Sequence, residues 1–120
     1  MKENIVKVKS YEFAVETVKL CLGLQKDFKE YSISQQLLRS AASVGANIEE
    51  SIGGQSDKDF LHKLSISYKE ARESHYWIRL LFDVELIDKK AKDNLIERCE
   101  ELLKILGAII RTMRVKLKEQ

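Results

Sequence analysis

Apolar residues recur three and four positions apart along most of the chain, the spacing that lines one face of an α-helix. A first stripe of Tyr11, Ala14, Val18, Cys21 and Phe28 predicts a helix from about Lys7 or Ser10 to Phe28, with Gln25 breaking the stripe near its end. After a charged link from Lys26 to Glu30, a second segment of about Ser32 to Ile52 sets an apolar row of Leu37, Ala41, Val44 and Ile48 beside a polar row of Arg39, Ser43, Asn47 and Glu50. The third carries Leu61, Leu64, Tyr68, Ala71, His75, Ile78 and Phe82 in unbroken alternation of threes and fours, the pattern of a bundle seam. The fourth repeats it toward Gln120 with Ile96, Cys99, Leu103, Leu106, Ile110, Met113 and Leu117, and a second row of Leu95, Leu102 and Ile109 lies alongside. That row, with Trp77, Leu81 and Val84 on the third segment, makes the apolar faces wider than one seam and predicts apolar surface left over for sideways oligomerisation.

The punctuation between these stripes predicts their boundaries. Gly53-Gly54 ends the second helix because glycine enters the left-handed C-cap conformation without steric cost, and Ser56 then reads as an N-cap. Asp57 and Asp59 follow in the first turn, where the helix dipole favours negative charge. Asp88 reads as the N-cap of the last helix, after a turn over Val84 to Ile87. The small residues of the second helix, Gly45 above all, predict close approach of another helix, a flexible kink being the alternative. Short turns between long helices give the expected fold: an all-α, antiparallel up-down-up-down four-helix bundle, one domain over 1–120. Helices near 30 residues make it roughly 45 Å long at about 1.5 Å per residue.

Composition agrees with helix throughout, since the 120 residues include no proline to interrupt one. Cys21 and Cys99 fit no ligand spacing and fall on apolar positions, so they read as buried thiols in a reducing cytosol rather than a metal or redox site. No cofactor and no metal is expected. The N-terminal run lacks a signal-peptide core, and no apolar stretch approaches the roughly 20 residues of a membrane span, which predicts a cytoplasmic protein. Catalytic chemistry is equally hard to find. The Arg72-Glu-Ser-His75 spacing is shorter than the Arg-to-His spacing of helical ribonucleases, leaving His75 as a satisfied interior or interface residue, and His62 is the only other histidine. Glu49, Glu50, Glu70 and Glu73 have no histidine three residues on, as a di-iron motif needs. With no nucleophile and base pairing and no glycine-rich phosphate loop after a strand, the chain is expected not to be an enzyme.

Two residue sets remain. Arg39, Ser43, Asn47 and Glu50, facing Ser67, Glu70 and Glu73 from an antiparallel third helix, predict a semi-buried polar network that sets helix register, an anion or water site being the alternative. The second set is basic. A net charge of +2 says little, but Lys104, Arg111, Arg114, Lys116 and Lys118 face only Glu119 in the last seventeen residues, and Lys2, Lys7 and Lys9 add to them if they lie nearby. These five are the candidate nucleic-acid-binding residues. The alternative is dipole complementation, since Asp88, Asp93, Glu97, Glu100 and Glu101 occupy the first half of the same helix.

The segments Gln36-Leu37-Leu38-Arg39-Ser40, Ser43-Val44-Gly45-Ala46-Asn47-Ile48-Glu49-Glu50, Gly53-Gly54-Gln55-Ser56, Asp59-Phe60 and Ile66-Ser67-Tyr68-Lys69-Glu70-Ala71-Arg72-Glu73, with Tyr11-Glu12-Phe13-Ala14 upstream, carry a resemblance over nearly the whole chain. In this order they resemble the four-helix-bundle family of bacterial 23S rRNA intervening-sequence proteins. The family's usual glycine followed by arginine is Gly53-Gly54 here, so the turn lacks that basic side chain. The resemblance implies a ring-shaped homopentamer with no established catalytic activity. A related branch, the accessory variability determinants of diversity-generating retroelements, binds a reverse transcriptase and nucleic acid through a basic surface. It implies RNA or a hybrid duplex as the partner to expect here, and a reverse transcriptase as a possible protein partner. The alternative expectation is a protein-binding oligomeric scaffold with no nucleic-acid role.

Overall fold

Four helices follow one another: α1 (Lys2–Phe28), α2 (Ser32–Ile52), α3 (Asp57–Asp83) and α4 (Lys89–Lys118). The computed structural model describes the backbone of residues 2–118 and the side chains of 5–118. Glu119, Gln120 and the side chain of Lys2, which entered the charge count above, lie outside the described residues.

Each helix packs on the next and α4 closes back on α1, while among the described residues the diagonal pairs make no close backbone contact. Cross-helix contacts fix the directions. Lys7 pairs with Glu49 while Gln25 reaches Ser34, Arg39 pairs with Glu70 while Glu50 pairs with Lys63, and His75 meets Glu100 while Asp57 meets Lys116. Lys9 to Glu101 and Glu12 to Arg98 complete the set between α1 and α4. In every pair low numbers meet high ones, so all four neighbours are antiparallel. The bundle measures 52 × 22 × 21 Å, close to the length that a 30-residue helix dictates.

The core follows the predicted rows closely on α2, where Leu37, Ala41, Val44 and Ile48 are all buried. On α1 it does not. The buried face is Val6, Ser10, Phe13, Thr17, Cys21 and Leu24, while Tyr11 and Phe28 stand 66% and 63% exposed, and the helix begins several residues before Lys7. The reason is that hydroxyls can be buried when they bond their own helix: Ser10 donates to the Lys7 carbonyl at 3.1 Å and Thr17 to Phe13 at 2.7 Å. A stripe counted over apolar residues alone rotates away from such a face. The same effect moves the deep positions of α3 toward Ser67, Ser74 and Leu81, with Tyr68, His75 and Phe82 only partly covered. On α4 the second row wins at Leu95 and Leu102, leaving Ile96, Leu103, Ile109, Met113 and Leu117 partly covered.

The turns hold one correction. Gly53 caps α2 at φ −88°, and no described glycine has positive φ, so the glycine pair is not there for left-handed backbone. Gly54 is constrained by proximity instead: its N–H donates to the Ser51 carbonyl at 3.1 Å, and a Cβ there would lie 3.0 Å from that oxygen. The left-handed residues are Lys29 (φ 56°) and Glu85 (φ 65°). Glu85 sits in a Schellman motif in which Leu86 N–H reaches Leu81 O at 2.9 Å and Glu85 N–H reaches Phe82 O at 3.0 Å. The two predicted N-caps form: the Ser56 hydroxyl accepts from Asp59 N–H at 3.1 Å and Asp88 accepts from Ala91 N–H at 2.8 Å. Gly45 does mark a close approach, with Ser10 of α1 3.6 Å from where its Cβ would stand.

Candidate nucleic-acid interface

All five basic residues predicted on α4 are exposed, but they do not form one equivalent set. Lys104, Arg111 and Lys118 recur every seven residues and share a line along the helix, with Arg114 beside it. Lys116 is occupied, its Nζ 3.2 Å from Asp57 Oδ2 at the start of α3. Among the described residues the other four have no carboxylate within 4 Å, whereas the acids of the first half are largely paired. Glu100 meets His75, Glu101 meets Lys9, and Asp93 meets both Lys89 and Lys92.

Dipole complementation accounts for only the ends of this pattern, Asp88 at the N-cap and Lys116 and Lys118 in the last turn. The first turn of α4 contains no acidic residue and begins Lys89-Lys90. The effect also fades beyond a terminal turn, so it covers Lys116 and Lys118 but not Lys104, Arg111 or Arg114.

A cation from the neighbouring helix joins the line. A cleft of about 290 Å³ opens between α3 and α4, lined by Ser65, Tyr68, Lys69, Gly107, Ile110, Arg111 and Arg114. The sequence stripe gave no reason to single out Lys69. Its signal lay in the antiparallel register, which sets the middle of α3 against the second half of α4. A larger apolar cleft of about 510 Å³, lined by Ile5, Phe60, Ile105, Ala108, Ile109 and Met113, with Lys104 and Thr112 at its edge, opens near the same end of the bundle.

The polar row of α2 resolves into separate pieces. Arg39 donates to Glu70 at 2.9 Å and to Glu73, whose Oε2 also accepts from Trp77 Nε1 at 2.9 Å. The Trp77 hydrogen bond and then the Arg39 guanidinium hold the Glu73 carboxyl below its ordinary range against the opposing effect of burial. Bonding to Glu73, with Glu70 adding to it, raises Arg39 in turn. With two carboxylates on that guanidinium, an anion site there is disfavoured. Asn47 does not cross to α3 but donates to Ser43 on its own helix at 2.9 and 3.0 Å, and Glu50 pairs with Lys63 at 2.8 Å. Ser67 does cross, donating to the Val44 carbonyl at 2.8 Å. Sequence reasoning missed a fully buried polar link, between the Ser40 and Ser74 hydroxyls, because isolated serines on an apolar face carry no pattern of their own.

Cys21 and Cys99 are both fully buried, and burial is the main reason their thiols are pushed up to about 12, with Glu30 and Glu100 respectively adding to it. They are held as thiols, and Cys99 donates to the Ala71 carbonyl at 3.1 Å. His75 lies between Glu100 at 3.0 Å and Arg79 at 3.1 Å, a structural bridge from α3 to α4. Among the described residues no group of three His, Cys, Asp or Glu is placed to hold a metal ion, and no helix is long and apolar enough to cross a membrane.

The family model described as 23S rRNA-intervening sequence protein matches residues 2–108. The chain belongs to that family. A similar fold is found in the crystal structure of a protein of unknown function from the S23 ribosomal protein family of Bacteroides thetaiotaomicron. That chain is 44% identical, with a TM-score of 0.89, and the match covers 92% of this chain and 99% of the other. Among curated proteins none matches significantly. Most of the intervening-sequence family match lies upstream of the basic end of α4, since Arg111, Arg114, Lys116 and Lys118 fall after residue 108.

Proposed function

We propose that this intervening-sequence protein is a non-catalytic cytoplasmic homo-oligomer, a pentamer, that binds RNA or a hybrid duplex through the basic face of α4. The observation that carries the reading is the line of Lys104, Arg111 and Lys118 with Arg114, exposed and without a described carboxylate partner. Each phosphate contact releases counterions, so a modest patch repeated around a ring becomes a strong polyanion surface. A reverse transcriptase is the protein partner that the related branch suggests. Filter binding of a structured RNA and a hybrid duplex at about 50 and about 200 mM salt tests the reading. Retention that falls steeply with salt is expected, and no retention at the lower salt overturns it.

A second reading, a protein-binding scaffold with no nucleic-acid role, is favoured by the apolar cleft beside Ile5, Phe60 and Ile109. Its natural occupant is a second copy of the chain, since leftover apolar surface at one place on a bundle suits a ring contact. Light scattering separates a pentamer from a monomer, and a monomer at micromolar concentration counts against both readings.

A further inference from the structure

The cleft over Gly107 gathers three cations, where the larger apolar cleft near the same end has Lys104 alone. Its rim holds Lys69, Arg111 and Arg114 and no carboxylate. The depression after α3 is lined by Asp83, Glu85 and Asp88, and the one beside Tyr11 sets Glu12 and Glu16 against a single arginine.

Gly107 shapes the cleft. A Cβ at that position would stand 3.5 Å from Arg111 Nη1 and 3.6 Å from Tyr68 Cε2, so guanidinium and phenol ring converge over the bare backbone. An arginine folded against its own helix has already lost much of its freedom, which lowers the entropy cost of binding. The lining therefore includes an aromatic side chain and a guanidinium, the two side-chain types on which unpaired bases stack. Ser65 adds a polar edge. Its hydroxyl donates to the Leu61 carbonyl at 2.8 Å, which leaves the oxygen as an acceptor for a base N–H.

Size selects the ligand. About 290 Å³ lies just below the usual range of ligand clefts, about 300 to 1,000 Å³. It suits one nucleotide rather than a double helix. We propose that the α3–α4 cleft over Gly107 holds one unpaired nucleotide of a single-stranded nucleic acid, its base against Tyr68 and Arg111 and its phosphate between Lys69 and Arg114. The proposal rests on the nucleic-acid reading above and narrows it from RNA or a hybrid duplex to a strand with at least one splayed base.

Fluorescence anisotropy on the full chain tests it, with a labelled single-stranded RNA, the same sequence as a duplex, and adenosine monophosphate as competitor. The single strand is expected to bind about tenfold tighter than the duplex. Lys69→Ala should weaken the single strand about fivefold or more while changing the duplex little. Gly107→Leu, which fills the cleft without altering charge, should do the same provided its melting curve stays cooperative, and Lys69→Ala carries the test if it does not. Lys118→Ala, outside the cleft, should weaken both polymers alike. Equal affinity for the two polymers with Lys69→Ala affecting both equally overturns the cleft and leaves the broader reading standing. Adenosine monophosphate matching the strand in affinity overturns the strand as ligand. Binding to neither polymer at low salt overturns both.

Discussion

The Ser40 hydroxyl of α2 and the Ser74 hydroxyl of α3 meet at 2.8 Å, both fully buried. Each also donates or can donate to its own helix, Ser40 to Leu37 O at 3.2 Å and Ser74 to Glu70 O at 2.9 Å. Neither is orphaned when the other is removed, so Ser40→Ala or Ser74→Ala should cost only about 1 kcal/mol, a fall of about 4 °C in Tm. The double alanine variant leaves no buried hydroxyl at the contact and should cost less than the sum of the singles. Thermal denaturation of all four proteins measures the coupling, and strict additivity would show that the two hydroxyls do not interact.

Acid should loosen the α2–α3 interface through Glu73. Its carboxyl is held below the ordinary 4.5 by Trp77 and Arg39. A depressed folded value means the carboxylate favours the folded state at all pH above the ordinary value, and that contribution fades as pH falls through the folded value. Wild type should therefore lead Glu73→Gln by a constant margin above about pH 4.5 and lose the lead below it. The margin will be modest because Arg39 is about half exposed and water screens the pair. Trp77 emission reports the same step, since its indole N–H is bonded to Glu73. Parallel Tm curves for the two proteins down to pH 3 would contradict the assignment.

What the sequence disclosed and what it hid divide along a physical line. Helix α2 was legible because its apolar row is unbroken and a glycine pair follows its last residue. Helix α1 was legible as a helix but not in its face, since Ser10 and Thr17 are buried by bonding their own backbone, and hydropathy counts them as polar. Gly53-Gly54 does mark a turn, but for another cause than left-handed backbone: crowding against Ser51 O selects glycine at 54, while Lys29 and Glu85 take positive φ. The polar row of α2 was located, but which members reach α3 depends on side-chain length and register, and Asn47 turns back to Ser43. Lys69 was hidden because a cleft between two helices belongs to neither helix's periodicity.

Neutralising single cations should rank the members of the basic face. If nucleic acid is bound there, Arg111→Ala and Arg114→Ala should each reduce the slope of log K against log salt by about 0.7 for a single strand or about 0.9 for a duplex. Lys116→Ala should change it less, because Asp57 already neutralises that ammonium at 3.2 Å. Asp57→Asn frees Lys116 and should steepen the slope. Equal effects from Lys116 and Arg111 would mean that the Asp57 pair does not persist in solution.

Two glycines should respond to alanine with opposite signs. At Gly45 a methyl group meets Ser10 O at 3.6 Å and Ser10 Oγ at 3.7 Å, ordinary contact distances, so Gly45→Ala fits. It should gain up to about 1 kcal/mol from helix propensity. Gly45→Leu has no such room, because what lies against the position is the α1 backbone itself, and it should lower Tm by pushing α1 away from α2. At Gly54 the methyl would stand 3.0 Å from the Ser51 carbonyl, a backbone atom tied to the end of α2. Gly54→Ala must therefore shift the turn and should destabilise. Thermal melts that raise Tm for Gly45→Ala and lower it for Gly54→Ala support packing as the reason for both. A fall for Gly45→Ala would mean that α1 and α2 approach more closely there than 3.6 Å allows.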